Sequence, residues 1–296
     1  MAKRIHQMTI GEWERAFPSD DACKAYLARN RWPTGVSCPR CGAVGVYVLK
    51  ARPFHWQCKE CSVHGYRFSV LVGTVFENTN IKLREWFRVI HRMLVSKKGV
   101  SAHQIYREMG FGSYETALYM THRIRAALVD KNFRKLIGIV EVDETFIGGD
   151  DRNCHADKKL HGKWRQNSFA VVGAVERNGS CVARCLDRMT KEALQSFVRE
   201  TVSTNVSLLA TDEYPAYRSL QGEYNHGHAH HAANRYVVGA VHTNTIEGFW
   251  SILKRGLMGT FHKVSRKYLP LYVAEFQFRY NNRLNADIFA EAIRGC

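Results

Sequence analysis

Acidic residues are scarce in this chain. Its 27 Asp and Glu face 43 Lys and Arg, giving a formal net charge of +16 and a pI of about 9.6. Such a surplus favours a polyanionic partner, because each phosphate that a protein cation neutralises releases counterions. Charge alone does not separate a nucleic-acid protein from a merely basic soluble or ribosome-bound one. Long apolar runs are also missing: none approaches the roughly 18 residues of a membrane-spanning helix, so no span is expected. The opening residues, Met1-Ala2-Lys3-Arg4-Ile5-His6, lack the apolar core of a signal peptide. A cytoplasmic location is the resulting expectation. There is no internal repeat and no low-complexity linker. The nearest approach to biased composition is the histidine-rich stretch 225–231, read as a solvated loop.

What is present begins with length. At 296 residues the chain can hold a sizeable core plus appendages, and 45% hydrophobic with 24% charged residues is an ordinary globular balance. Nine cysteines without secretory features suggest metal ligation before disulfides. Cys38-Pro39-Arg40-Cys41 and Cys58-Lys59-Glu60-Cys61 are two Cys-x-x-Cys knuckles sixteen residues apart. Each knuckle offers two thiolates from one tight turn, and two turns complete a tetrahedral Zn²⁺ shell. Four sulfurs leave no open position, so the expected zinc is structural. Between the knuckles, 44–49 and 55–57 read as strands of a hairpin. Arg40, Lys50, Arg52, Lys59 and Arg67 with Tyr47, Phe54, Trp56 and Tyr66 form a basic, aromatic surface suited to DNA or to protein.

Helical patterning flanks this segment. Residues 1–35 carry a mixed apolar stripe (Trp13, Phe17, Cys23, Tyr26, Leu27), with a helix start at Ser19-Asp20-Asp21. After the ribbon segment, 36–76, the third segment, 77–134, is helical. Leu83, Trp86, Phe87, Ile90 and Leu94 recur at helical spacing. Ser101 with Gln104 makes a capping-box pattern, Gly110 suits a left-handed turn, and Ser113 caps the next helix. Two helices joined at a glycine fit a helix-turn-helix, or an ordinary helical hairpin. In the first case Tyr114, Thr116, Tyr119, His122 and Arg123 are groove-facing candidates.

The fourth segment, 135–296, holds the acids. Residues 137–144 alternate like a strand, with 137, 139, 141 and 143 on one face, and Gly148-Gly149 ends it. Strands at 168–175 and 181–186 follow, joined by a turn at Arg177-Asn178-Gly179. A helix over 190–202 then leads to a strand at 207–211 that runs into Asp212. This order permits Asp143 and Asp212 to occupy neighbouring strands. A helix from Thr243 puts Asn244, Glu247 and Lys254 on a shared face. Singly, an Asp at a strand end is a turn former and a helical Glu is solvated. Three crowded carboxylates, however, are tolerable only with cations between them, and hard oxygen ligands suit Mg²⁺ or Mn²⁺. Two such ions about 3.5–4 Å apart serve phosphodiester displacement.

On these residues the chain resembles bacterial insertion-sequence transposases of the DDE type with an N-terminal zinc ribbon. The resemblance rests on Cys38, Cys41, Cys58 and Cys61, on 142–149, on Thr211-Asp212, and on 242–251 with Lys254-Arg255. It implies an α+β multidomain chain with an RNase H-like mixed α/β catalytic domain. It implies Asp143, Asp212 and Glu247 as ligands of two Mg²⁺ or Mn²⁺ ions, with Asn244 a rival third ligand because some members carry Asn. It further implies Lys254 at a phosphate or flanking base, and Arg255, Lys263, Arg266, Lys267 and Arg279 along a DNA path. The expected partner is double-stranded DNA, both element ends and target, bound by a nucleoid-associated homo-oligomer. A non-enzymatic DNA-binding regulator and a metal-dependent nuclease without strand transfer are the alternatives.

Overall fold

The computed structural model describes residues 4–61, 64–130, 133–148, 168–212, 214–228 and 242–296. It divides into two compact units, one of Met1–Leu128 with Leu284–Cys296, the other of Val129–Arg283.

In the first unit, α1 (Ile10–Ala16) starts at a capping box between Thr9 and Glu12, and α2 (Asp20–Arg31) at Ser19, whose hydroxyl accepts from the Ala22 N–H. Trp13, Phe17, Cys23 and Leu27 are buried, as the apolar stripe requires. The ribbon has three antiparallel strands, β1 (Tyr47–Val48), β2 (His55–Cys58) and β3 (Tyr66–Ser69), where the sequence suggests a hairpin of two. The third strand is held by packing, since Phe68 stacks on Trp56 with ring centroids 5.9 Å apart.

Next come α3 (Leu83–Val95), α4 (Ala102–Met109) and α5 (Tyr114–Ala127). Ser101 accepts from the Gln104 N–H, and Gly110 takes the left-handed conformation at φ 65°. Ser113 accepts from the Thr116 N–H. The Gln104 side chain does not return to the cap but bonds Glu108. A last helix, α9 (Ile288–Gly295), packs on α2 and α3, and its buried Phe289 lies 5.6 Å from Phe87 and 5.9 Å from Phe17. Residues 284–296 therefore cluster with the first unit, whereas the sequence reading ran its last segment to 296. An aromatic core this far away in sequence is what claims them.

The second unit is built on β4 (Ile139–Gly148), β5 (Ser168–Glu176), β6 (Cys181–Leu186), β7 (Leu208–Thr211) and β8 (His226–His228), in the order β6-β5-β4-β7-β8. The first three are antiparallel; β7 and β8 run parallel to β4. Asn178, at φ 60°, makes the expected turn between β5 and β6. The helices are α6 (Lys191–Thr201), α7 (Asn244–Gly256) and α8 (Leu269–Asn281). Alternation along the strands sorts the core into two layers. Val140, Val142, Val172 and Ala174 join Leu194, Phe197 and Tyr217 on the α6 side. Val171 and Val175 join Phe249, Trp250, Val273 and Phe276 on the side of α7 and α8.

Part of the histidine-rich stretch is strand and not loop. His226 pairs with Leu209 in the β7 register, and its Nε2 lies 2.8 Å from the Thr211 hydroxyl. His231 falls outside the described residues, as do residues 150–167 between β4 and β5.

Candidate active site

Strand pairing brings two of the expected acids together. In the parallel β4–β7 ladder Glu141 stands opposite Ala210, so the same register carries Asp143 beside Asp212. Asp143 sits midway along β4 and not at its end, because β5 pairs with β4 as far as Gly148. Strand β7 stops at Thr211, which releases Asp212; its Oδ1 accepts from the Tyr214 N–H at 3.0 Å. Ligand oxygens of Asp143, Asp212 and Glu144 all lie within 4.8 Å of one another.

Asp143 is electrostatically stressed. Burial, then the charges of Asp212 and Glu247, raise its pKa from 3.8 to about 6, against the Glu144 backbone N–H and the Trp250 indole, which lower it. The Trp250 Nε1–H donates to Oδ2 at 3.0 Å. That indole reaches the sheet only because β5 has a glycine opposite Asp143. A Cβ on Gly173 would stand 2.7 and 2.8 Å from two Trp250 ring carbons. Gly173→Ala is therefore expected to destabilise the protein by about 1–3 kcal/mol, the range for overpacking. Denaturant unfolding measures this, and an unchanged midpoint would contradict the close approach.

Glu144, quoted in the sequence motif but given no role, faces the α6 side and accepts from the buried Tyr217 hydroxyl at 2.8 Å. Strict alternation points it away from Asp143, so periodicity gave no signal for it. Glu247 lies exposed in the first turn of α7. Its Oε1 accepts from the Thr243 hydroxyl at 3.0 Å, and its charge reaches Asp143, but it is not in the 4.8 Å group. Asn244 is exposed at the start of the same helix, and Lys254 and Arg255 are exposed near its end. Lys263, Arg266 and Lys267 are exposed too, with Arg266 already paired to Asp187 at 2.9 Å. Between them, Leu257–Phe261 forms a π-helical turn.

The side chain that joins α7 to the sheet was not anticipated. Glu141, fully buried two residues before Asp143, takes Arg177 Nε at 2.6 Å. It also accepts from the Thr245 N–H at 2.7 Å, the Ile246 N–H at 3.0 Å and the Thr245 hydroxyl at 2.9 Å. Placing 141 and 143 on one strand face was the available clue.

In the first unit the four knuckle cysteines also converge within 4.8 Å. The Cys38–Cys61 and Cys41–Cys58 sulfurs lie 3.4 and 3.6 Å apart. Zn–S bonds of about 2.3 Å in a tetrahedron put sulfurs about 3.8 Å apart, so this donor set fits one zinc ion. Burial pushes the Cys38 thiol up, but the Cys41 and Arg40 backbone N–H groups prevail and bring it down to about 7.

Of the groove-facing candidates, Tyr114 and Tyr119 are exposed. The Thr116 hydroxyl lies 3.3 Å from that of its cap, Ser113. Arg123 donates to Tyr119 Oη at 3.1 Å and the Glu77 carbonyl at 3.3 Å, and lies over the Trp86 ring. Burial holds His122 neutral, with its pKa down at about 4.

The four-cysteine ribbon and the mixed sheet that gathers carboxylates both lie within segments that match known transposase domains. Residues 135–281 match the ISXO2-like transposase domain, and residues 18–64 match the transposase zinc-ribbon domain. The chain belongs to the insertion-sequence transposases with an N-terminal zinc ribbon. It is 28% identical over 280 residues to an uncharacterized protein in transposable element ISH50 of Halobacterium salinarum, covering 90% of this chain and 92% of that protein. A chain in the simian T-cell lymphotropic virus intasome, solved in complex with PP2A regulatory subunit B56 gamma, is 18% identical. Its TM-score of 0.28, over 60% of this chain and 65% of that one, is too low to bear on fold or function.

Proposed function

We propose that the protein binds the terminal inverted repeats of its insertion sequence and catalyses metal-dependent DNA cleavage and strand transfer. The observation that carries this reading is the meeting of Asp143 and Asp212 on adjacent parallel strands in a chain of net charge +16. Two carboxylates so close, one of them holding its proton up to about pH 6, call for a cation. Asp143, Asp212 and Glu247 would hold Mg²⁺ or Mn²⁺. When bound, the ions activate the attacking oxygen and stabilise the leaving one. Trp250 orients Asp143, and Lys254 meets a phosphate beside the site. Arg255, Lys263, Arg266 and Lys267 follow the DNA, with Tyr114, Thr116, Tyr119 and Arg123 at the element end. The working form is a homo-oligomer on DNA in the bacterial cytoplasm, associated with the nucleoid.

The test is incubation with oligonucleotide element ends and target DNA in Mg²⁺ or Mn²⁺. Joined product is expected. Nicking without joining identifies a nuclease, and binding alone identifies a regulator. For the third ligand, Glu247→Gln is expected to slow joining by at least about a hundredfold, above the range for groups outside the ligand shell. Asn244→Ala is expected to cost much less. Single-turnover joining rates measure both, and the reverse ranking would make Asn244 the ligand.

A further inference from the structure

The catalytic reading needs β4 and α7 to be held in one register, and α7 lacks the usual local means. Its N-cap residue, Thr243, makes no side-chain capping bond; its hydroxyl goes instead to Glu247. The two N–H groups that an N-cap would satisfy, those of Thr245 and Ile246, donate instead to Glu141 on the sheet. A carboxylate there is also favoured by the helix dipole. The other oxygen of Glu141 receives Arg177, whose Nη2 in turn donates to the His242 carbonyl at 3.0 Å. His242 Nδ1 lies 3.3 Å from that same oxygen. The Arg177 backbone N–H bonds the Ile139 carbonyl, which ties the clamp to the start of β4. One buried side chain thus clips the first turn of α7 to the strand that carries Asp143.

We propose that Glu141 is a positioning residue, whose carboxylate caps α7 from the sheet and so sets Glu247 and Asn244 against Asp143 and Asp212. This rests on the catalytic reading above. Glu141 has no free oxygen to offer a cation, because both already accept two or more hydrogen bonds. Its part is geometric, and geometry at such a site is worth a great deal: a misplacement of about 1 Å slows a reaction by roughly a hundredfold. Glutamine cannot replace it. A glutamine has one acceptor oxygen for two sets of donors, and it turns an NH₂ group onto whichever set it leaves.

The experiment compares the full-length wild type with E141Q and with E141Q/R177Q, which also removes the half-buried cation that Glu141 pairs with. Three quantities are measured: Mn²⁺ affinity by paramagnetic resonance, hydrogen exchange over 243–249, and single-turnover joining at saturating end DNA. Both variants are expected to bind end DNA like the wild type. Exchange in the first turn of α7 should quicken about five- to tenfold, the effect of a lost cap. Mn²⁺ affinity should fall about tenfold and joining about a hundredfold. Wild-type Mn²⁺ affinity and joining in either variant would overturn the proposal. So would loss of the whole second-unit fold in both, since Glu141 would then be a general core residue and not an aligner. A wild type that binds Mn²⁺ but joins nothing defeats the catalytic reading instead, and leaves affinity and exchange to decide the clamp.

Discussion

Asp143→Asn is expected to abolish joining while making the metal-free protein more stable. The two effects have one cause. The folded pKa of Asp143, about 6, lies above its ordinary value of 3.8, so between these values the folded chain holds a proton that the unfolded chain has released. Stability from this group is therefore gained as pH falls through 6 toward 4 and lost as pH rises. Above pH 7 the charged carboxylate opposes folding by up to about 3 kcal/mol, at 1.36 kcal/mol per pKa unit. Asparagine removes that charge and keeps an oxygen to accept from Trp250. In a chelator at pH 7.5 the variant should melt several degrees above the wild type. In Mn²⁺ the order should narrow or invert, because only the wild type gains from binding the ion. End binding should be unchanged. A variant that still joins ends refutes the assignment of Asp143, and one that melts lower in chelator refutes the electrostatic account of it.

Removing zinc is expected to unfold the ribbon. Its strands are two to four residues long, and its own buried apolar side chains are few, chiefly Trp56, Phe68, Val70 and Phe76. A unit that small folds on its metal: structural zinc contributes about 10–16 kcal/mol in isolated fingers at neutral pH. Stripping the ion, or replacing Cys41 by Ser, should expose 36–70 to protease within minutes. The sheet of β4 to β8 should stay resistant, since its core owes nothing to sulfur ligands. Limited proteolysis with a measured zinc content decides the matter. Full resistance of 36–70 in protein shown to be metal-free would mean that the cysteines do not hold this segment together.

Much of this was legible from local spacing. The knuckles announce themselves because two thiolates on one turn form a chelate whatever surrounds them. The starts of α2, α4 and α5 were legible because a Ser at the N-cap reaches an N–H only three residues on. The strands at 168–176 and 181–186 followed from alternation and the Asn178-Gly179 turn. At the candidate site the same logic succeeds halfway: Asp143 and Asp212 end or interrupt apolar runs, and the parallel register does the rest.

What the sequence determined by itself is the set of short-range structures: the knuckles, the caps, the turn, and which strand residues share a face. These depend on bonds between neighbours, and neighbours are written side by side. Tertiary structure alone decided that Glu141 caps a helix 104 positions away, that Trp250 rests over Gly173 to reach Asp143, and that Phe289 completes an aromatic core begun at Trp13. In each case the residue type allows several roles. Burial selects among them, because a buried carboxylate or indole must find a partner and the partner is whatever the packed chain brings within about 3 Å.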